Sequence, residues 1–167
     1  MSSLNLTPLS PDLIVELYRV VEPAWPHEGC GFVFEHSTDG VWTVLPTQNR
    51  AQLLHEKDPE RYPRGGSDWF EPDMKPWIRA VRDGHIPRMI FHSHPEGEAY
   101  FSAGDIDSAL FRDEEGRLRE RHEGVLHLVV SVRQGQAREA ALFIFDADTQ
   151  QFVEIARFDA LGQRRAS

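Results

Sequence analysis

The run Ile86-Pro87-Arg88-Met89-Ile90-Phe91-His92-Ser93-His94-Pro95 constrains this chain more than any other. Its apolar first half reads as a strand. Alternate side chains of a strand face opposite ways, so His92 and His94 share one side and Ser93 takes the other. Pro95 lacks an N–H for the ladder and ends the strand. Two imidazoles on one side of a strand end form half of a metal site. A catalytic zinc takes three protein ligands from His, Asp or Glu and keeps a fourth position for water.

Ser102-Ala103-Gly104-Asp105 follows after a short gap. Asp105 is a candidate third ligand. The same four residues match a helix N-cap with an acid at the third helical position, a capping box. The two readings are compatible, because capping would hold Asp105 in the first helical turn facing the strand end. Asp107 is a rival ligand, but on a helix it points away from Asp105. Taken alone, a His-X-His pair is a weak signal.

The whole pattern is specific. His92-X-His94-Pro95, six residues, then Ser102-X-X-Asp105 resembles the metal-binding signature of the JAMM metalloproteases, the catalytic MPN (JAB) domains. That family also carries an upstream glutamate, and Pro26-His27-Glu28-Gly29-Cys30-Gly31-Phe32 stands where it would be. The resemblance implies that His92, His94 and Asp105 hold Zn2+. It further implies that Glu28 is the general base and that Ser102 donates to the oxyanion. The implied fold is α/β: a single MPN domain with a mixed, mostly antiparallel sheet flanked by helices, in a cytidine-deaminase-like layered architecture. The implied reaction is hydrolysis of a peptide or isopeptide bond after the C-terminal glycine of a ubiquitin-like protein or sulfur carrier. That tail is expected to lie along a sheet edge. Two other readings are a catalytically silent MPN scaffold and a zinc hydrolase of small amides. Inactive relatives usually lack the ligands, and this chain keeps all of them.

With 167 residues the chain suits one domain, expected to span 1–167 with a core over about 10–158. No long apolar run suggests a membrane span, and Met1–Thr7 lacks the features of a signal peptide. A single cysteine excludes an internal disulfide and fits a reducing cytoplasm. Cys30, beside two glycines, reads as a buried structural thiol. The net charge of −9 argues against a nucleic-acid partner. Oligomeric state stays open, a homodimer included.

Along the chain, Leu4 and Leu6 suggest a short edge strand. Ser10-Pro11-Asp12 starts a helix with Leu13, Ile14, Leu17, Val20 and Val21 at helical spacing, ended by Pro23 and Pro26. A strand over Gly31–Glu35 turns at Asp39-Gly40 into Val41–Leu45. Asn49 is given a structural role. Residues 51–70 read as a long irregular loop in which His55 is a surface histidine and Tyr62, Trp69 and Phe70 are candidates to line a groove. A second helix is expected from Glu71 to Arg82 with Met74, Trp77, Ile78 and Val81 inward, ended at Asp83-Gly84. A third begins at Ser102 with Ile106, Ala109 and Leu110 on one face. Arg112–Glu123 reads as a solvated run of mixed charge. Val125–Val132, Glu139–Phe145 and Phe152–Phe158 are predicted to form an antiparallel meander, with His127 a satisfied core residue. The tail from 159 to 167 is expected to fray.

Overall fold

The computed structural model describes residues 5–166. In chain order it contains α1 (Pro11–Val21), β1 (Cys30–Glu35), β2 (Trp42–Thr47), α2 (Ala51–Lys57), α3 (Lys75–Arg82), β3 (Ile86–Pro95), α4 (Ala103–Ala109), β4 (Leu110–Arg112), β5 (Leu118–Glu120), β6 (Leu126–Arg133), β7 (Gln136–Asp146) and β8 (Gln151–Asp159). The main sheet has the order β2-β1-β3-β6-β7-β8, and β4 and β5 form a separate hairpin. Every neighbour in the main sheet is antiparallel except β3 and β6. This is the expected mixed, mostly antiparallel sheet flanked by helices. Among the described residues no helix is long and apolar enough to cross a membrane.

Strand alternation divides the core between the two faces of the sheet. Val33, Met89, Phe91, Leu128 and Val130 pack under α1 against Ile14, Leu17 and Val21. The Ser10 hydroxyl caps α1 by accepting the Leu13 N–H at 3.2 Å. Phe32, Phe34 and Ile90 point the other way, and Trp77 of α3 packs edge-on against both phenylalanines at 5.1 and 5.2 Å. This second face also carries His92 and His94. A parallel pair cannot be joined by a hairpin and needs a crossover of a dozen or more residues. Residues 96–125 make that crossover, carrying α4 and the β4–β5 hairpin.

Several expected elements differ. Leu6 is not in a strand, and Leu4 lies outside the described residues. Residues 51–57 form α2 rather than loop. They are mostly strong helix formers, and Asn49 Oδ1 accepts the Ala51 N–H at 2.9 Å to start the first turn. His55 is not free at the surface, since its Nδ1 lies 2.7 Å from the Tyr62 carbonyl. The helix expected from Glu71 begins only at Lys75, because Asn49 and Pro72 form a backbone bridge first. Trp77 sets its rotation, so Ile78 (62% exposed) and Val81 face outward rather than into the core. Leu110 leaves the helix and enters β4.

The charged run after it is solvated, as expected, and folds as the β4–β5 hairpin. The Asp113 carboxylate accepts the Glu115 and Arg117 N–H groups and pairs with the Arg119 side chain. The tail doubles back through the described residues to 166 instead of fraying. Asp159 Oδ1 accepts the Leu161 and Gln163 N–H groups, and Arg165 N donates to the Arg157 carbonyl at 2.8 Å. Gly162, at φ +73°, sits where a Cβ would lie 2.5 Å from the Pro11 carbonyl, so only glycine fits this contact with α1.

Gly31 makes the other close approach. A Cβ there would lie 2.4 Å from Phe91 Cζ and 2.9 Å from the Leu45 carbonyl oxygen. Gly31→Ala is therefore expected to destabilise the protein by about 1–3 kcal/mol through overpacking. Urea unfolding checks this, and an unchanged midpoint would mean that Phe91 has room to move.

Candidate metal centre

β3 delivers His92 and His94 to one side at its C-terminal end, and the crossover returns Asp105 to meet them. His92 Nε2 and His94 Nε2 are 3.1 Å apart. Asp105 Oδ1 lies 3.3 Å from His92 Nε2, and Oδ2 lies 3.5 Å from His94 Nε2. One donor atom from each residue lies within 4.8 Å of the others, and all three residues are buried. A tetrahedron with donor bonds of ~2.0–2.1 Å has edges of roughly 3.3 Å. The donor set of two imidazoles and a carboxylate therefore fits zinc in both chemistry and spacing.

Each candidate ligand is held from behind. His94 Nδ1 faces the Glu98 carbonyl at 3.0 Å, so the Nδ1–H donates there and leaves Nε2 free as a ligand atom. Phe70 stacks on His92 at 4.2 Å with planes 14° apart, and Tyr100 meets His94 edge-on. Ser102 and Asp105 form the full capping box: Ser102 N donates to Oδ2 at 2.8 Å and Asp105 N donates to Ser102 Oγ at 3.2 Å. The Ser102 hydroxyl also donates to Oδ2, at 2.7 Å. Asp107 is exposed on the far side of α4.

Glu28 enters from the segment before β1. Its N–H donates to the Gly66 carbonyl at 2.7 Å, and its own carbonyl accepts from Asn49 Nδ2 at 2.9 Å. The next residue is locked to β3: Gly29 N donates to Ser93 Oγ at 2.8 Å, and Ser93 N donates to the Gly29 carbonyl at 2.9 Å. Ser93, the residue between the two histidines, thus fixes Glu28 from the opposite sheet face. Glu28 is 6% exposed and lines a cleft of about 220 Å³ together with Arg64, Trp69, His94, Tyr100, Ser102 and Asp105. β3 lies between β1 and β6, so the strand that carries the two histidines is not an edge of the main sheet.

Electrostatics separate the groups. Burial pushes the Glu28 carboxyl up to about 8, opposed by the charge on His94 and reinforced by Asp105. Burial keeps His92 below its usual value and therefore neutral. Burial alone would raise Asp105, but hydrogen bonds with His92, then His94 and Ser102, hold it well below the usual carboxylate range. Burial would lower His94, but its contacts with Asp105 and the charge of Glu28 raise it. Burial pushes the Cys30 thiol up to about 12, which suits a structural residue and not a nucleophile.

The structure thus buries His92 against His94 and Asp105 and brings Glu28, His94, Ser102 and Asp105 to one cleft. Trp69 lines it, while Phe70 backs His92 and Tyr62 lies in an adjoining recess. His127 is no part of the triad. Among the described residues its ring makes no hydrogen bond within the protein, and its nitrogens are not among the fully buried unpartnered atoms. Sequence reasoning missed the roles of Ser93, Phe70 and Tyr100. Ser93 had a legible signal, as the residue between two same-face ligands.

A family model for prokaryotic homologs of the JAB domain matches residues 10–144. No functionally curated protein matches the chain. Among solved structures, the solution structure of a protein from Desulfitobacterium hafniense is similar at 20% identity and a TM-score of 0.57, covering 86% of each chain. The solution structure of a protein from Salinibacter ruber is similar at 27% identity and a TM-score of 0.54, covering 87% of this chain and 86% of that one.

In chelator-treated protein the folded state keeps the Glu28 proton up to about pH 8, whereas the unfolded chain releases it near 4.5. The stability this confers is full below 4.5 and is lost as pH rises through 8. Between these values the wild type should lose up to about 1.4 kcal/mol per pH unit more than Glu28→Gln. Urea midpoints from pH 5 to 8 check this, and equal slopes would show a solvated carboxyl.

Proposed function

We propose that this chain, which belongs to the family of prokaryotic homologs of the JAB domain, is a zinc-dependent peptidase or isopeptidase. It would cleave the bond that follows the C-terminal glycine of a ubiquitin-like protein or sulfur carrier. One observation carries the reading: the buried side chains of His92, His94 and Asp105 converge beside a cleft that also holds the buried carboxyl of Glu28. A zinc ion held by His92, His94 and Asp105 would supply a Lewis acid and lower the pKa of a bound water to about 7.

The remaining work falls to the chain's own residues. Glu28 accepts a proton from the attacking water as its oxygen bonds to the carbonyl carbon. It then gives that proton to the amine nitrogen as the C–N bond breaks, leaving a free amine and a carboxylic acid that keeps the second proton of the water until it ionises to solvent. Ser102 donates to the carbonyl oxygen as negative charge develops there. To do so its O–H must leave Asp105 Oδ2, whose other donor, the Ser102 N–H, stays in place.

The test uses the zinc-loaded protein and a ubiquitin-like protein whose C-terminal glycine carries a fluorogenic amine, with glycine amide of the same dye for comparison. The expected result is release from the protein-linked dye only. Glu28→Gln should lower kcat by about 10²- to 10⁴-fold with zinc content unchanged, and Ser102→Ala by about 100-fold or more. Equal release from the small amide would favour a small-amide hydrolase. No release at full zinc loading would favour a silent scaffold.

A further inference from the structure

A second cavity, of about 190 Å³, adjoins the cleft and shares Trp69 and Asp105 with it. It opens on the sheet face that carries the triad, and most of its wall is apolar, including Phe32, Phe70, Met74 and Phe101. Small-molecule pockets usually enclose ~300–1,000 Å³. This one has the size of a single large side chain.

His127 lines it. In the parallel β3–β6 register His127 stands beside Ile90, one same-face step before His92. It is 8% exposed, and the rings of Phe101 and Phe152 pack on it at 5.0 and 5.2 Å. Yet among the described residues neither ring nitrogen has a hydrogen-bond partner. Glu120 Oε1 is the one fully buried unpartnered side-chain atom among the described residues, so the His127 nitrogens, unpartnered but not sealed off, open on the cavity. Burial pushes its pKa down to about 3, so it offers one N–H donor and one lone pair as a neutral ring.

We propose that this cavity is a side-chain subsite for an aromatic residue with a polar tip, a tyrosine above all, its ring among the apolar walls and its hydroxyl on His127. Tyrosine combines an apolar body with a single polar end. Phenylalanine would fill the walls and leave His127 unmatched. A glutamate would bring a charge that neutral His127 does not balance, beside the Glu71 and Asp105 carboxylates of the same wall, at a large desolvation cost. The assignment of the bound residue to a substrate rests on the peptidase reading; the binding itself does not.

The probes are p-cresol and toluene, the minimal forms of tyrosine and phenylalanine side chains. Their binding to the whole protein is followed by the imidazole NMR signals of His127. p-Cresol should shift those signals and bind about tenfold more tightly than toluene, the scale of one hydrogen bond to a buried group. His127→Phe should abolish the preference, and Ala109→Leu, which narrows the cavity, should weaken both probes. No shift up to the solubility limit of p-cresol, or equal affinity for both probes in the wild type, overturns the proposal. The wild-type signals decide this even if a variant misfolds. Zinc uptake is measured on the same samples. Probe binding without zinc uptake keeps the subsite and removes the peptidase reading, and zinc uptake with no probe binding removes the subsite alone.

Discussion

The parallel pairing of β3 with β6 is the constraint on which the site depends. In an otherwise antiparallel sheet it forces the chain to leave the end of β3, cross the sheet face and re-enter alongside. The crossover brings the N-terminus of α4 back over the strand end that carries His92 and His94. A hairpin in its place would have paired the strand end with a neighbour and left no route for Asp105. The C-terminal ends of such strands are the common location of ligand sites in open sheets for the same reason.

Burial then sets the chemistry. Two imidazoles and a carboxylate withdrawn from water need partners, and here they serve one another, with Ser102 and the Glu98 carbonyl behind them. The capping box does two jobs with one pair of residues: it starts α4 and fixes the carboxylate that faces the histidines. Glu28 belongs to a different element, but the Gly29–Ser93 hydrogen bonds tie it to β3 at the residue between the two ligands. A shift of β3 would therefore move the acid and the ligands together. Burial keeps Glu28 protonated at neutral pH in the metal-free protein while hydrogen bonds keep Asp105 ionised, so one cleft holds two carboxyl groups in different states.

The centre of this arrangement was legible in the sequence because strand alternation and helix capping are local rules. His92 and His94 on one face, Ser102 as the cap and the closing meander all follow from short-range patterns. What was not legible depends on distant contacts. The outward turn of Ile78 and Val81 follows from Trp77 packing between Phe32 and Phe34. The α2 helix was hidden by the proline- and glycine-rich stretch after it, and the Asp113 hairpin by its charge. The docked tail depends on a glycine meeting α1 across the fold. His127 was recognisable as a core residue, but its lack of a partner is visible only in three dimensions.

The central claim is that His92, His94 and Asp105 form a zinc site without rearrangement. X-ray absorption at the zinc edge, on protein loaded with one equivalent of the metal, addresses it most directly. The account predicts a light-atom shell at about 2.0–2.1 Å with the outer-shell pattern of two imidazoles and no sulfur, and loss of that pattern in His94→Ala. A sulfur shell at about 2.3 Å, which would bring in Cys30, or a spectrum unchanged by His94→Ala would contradict it.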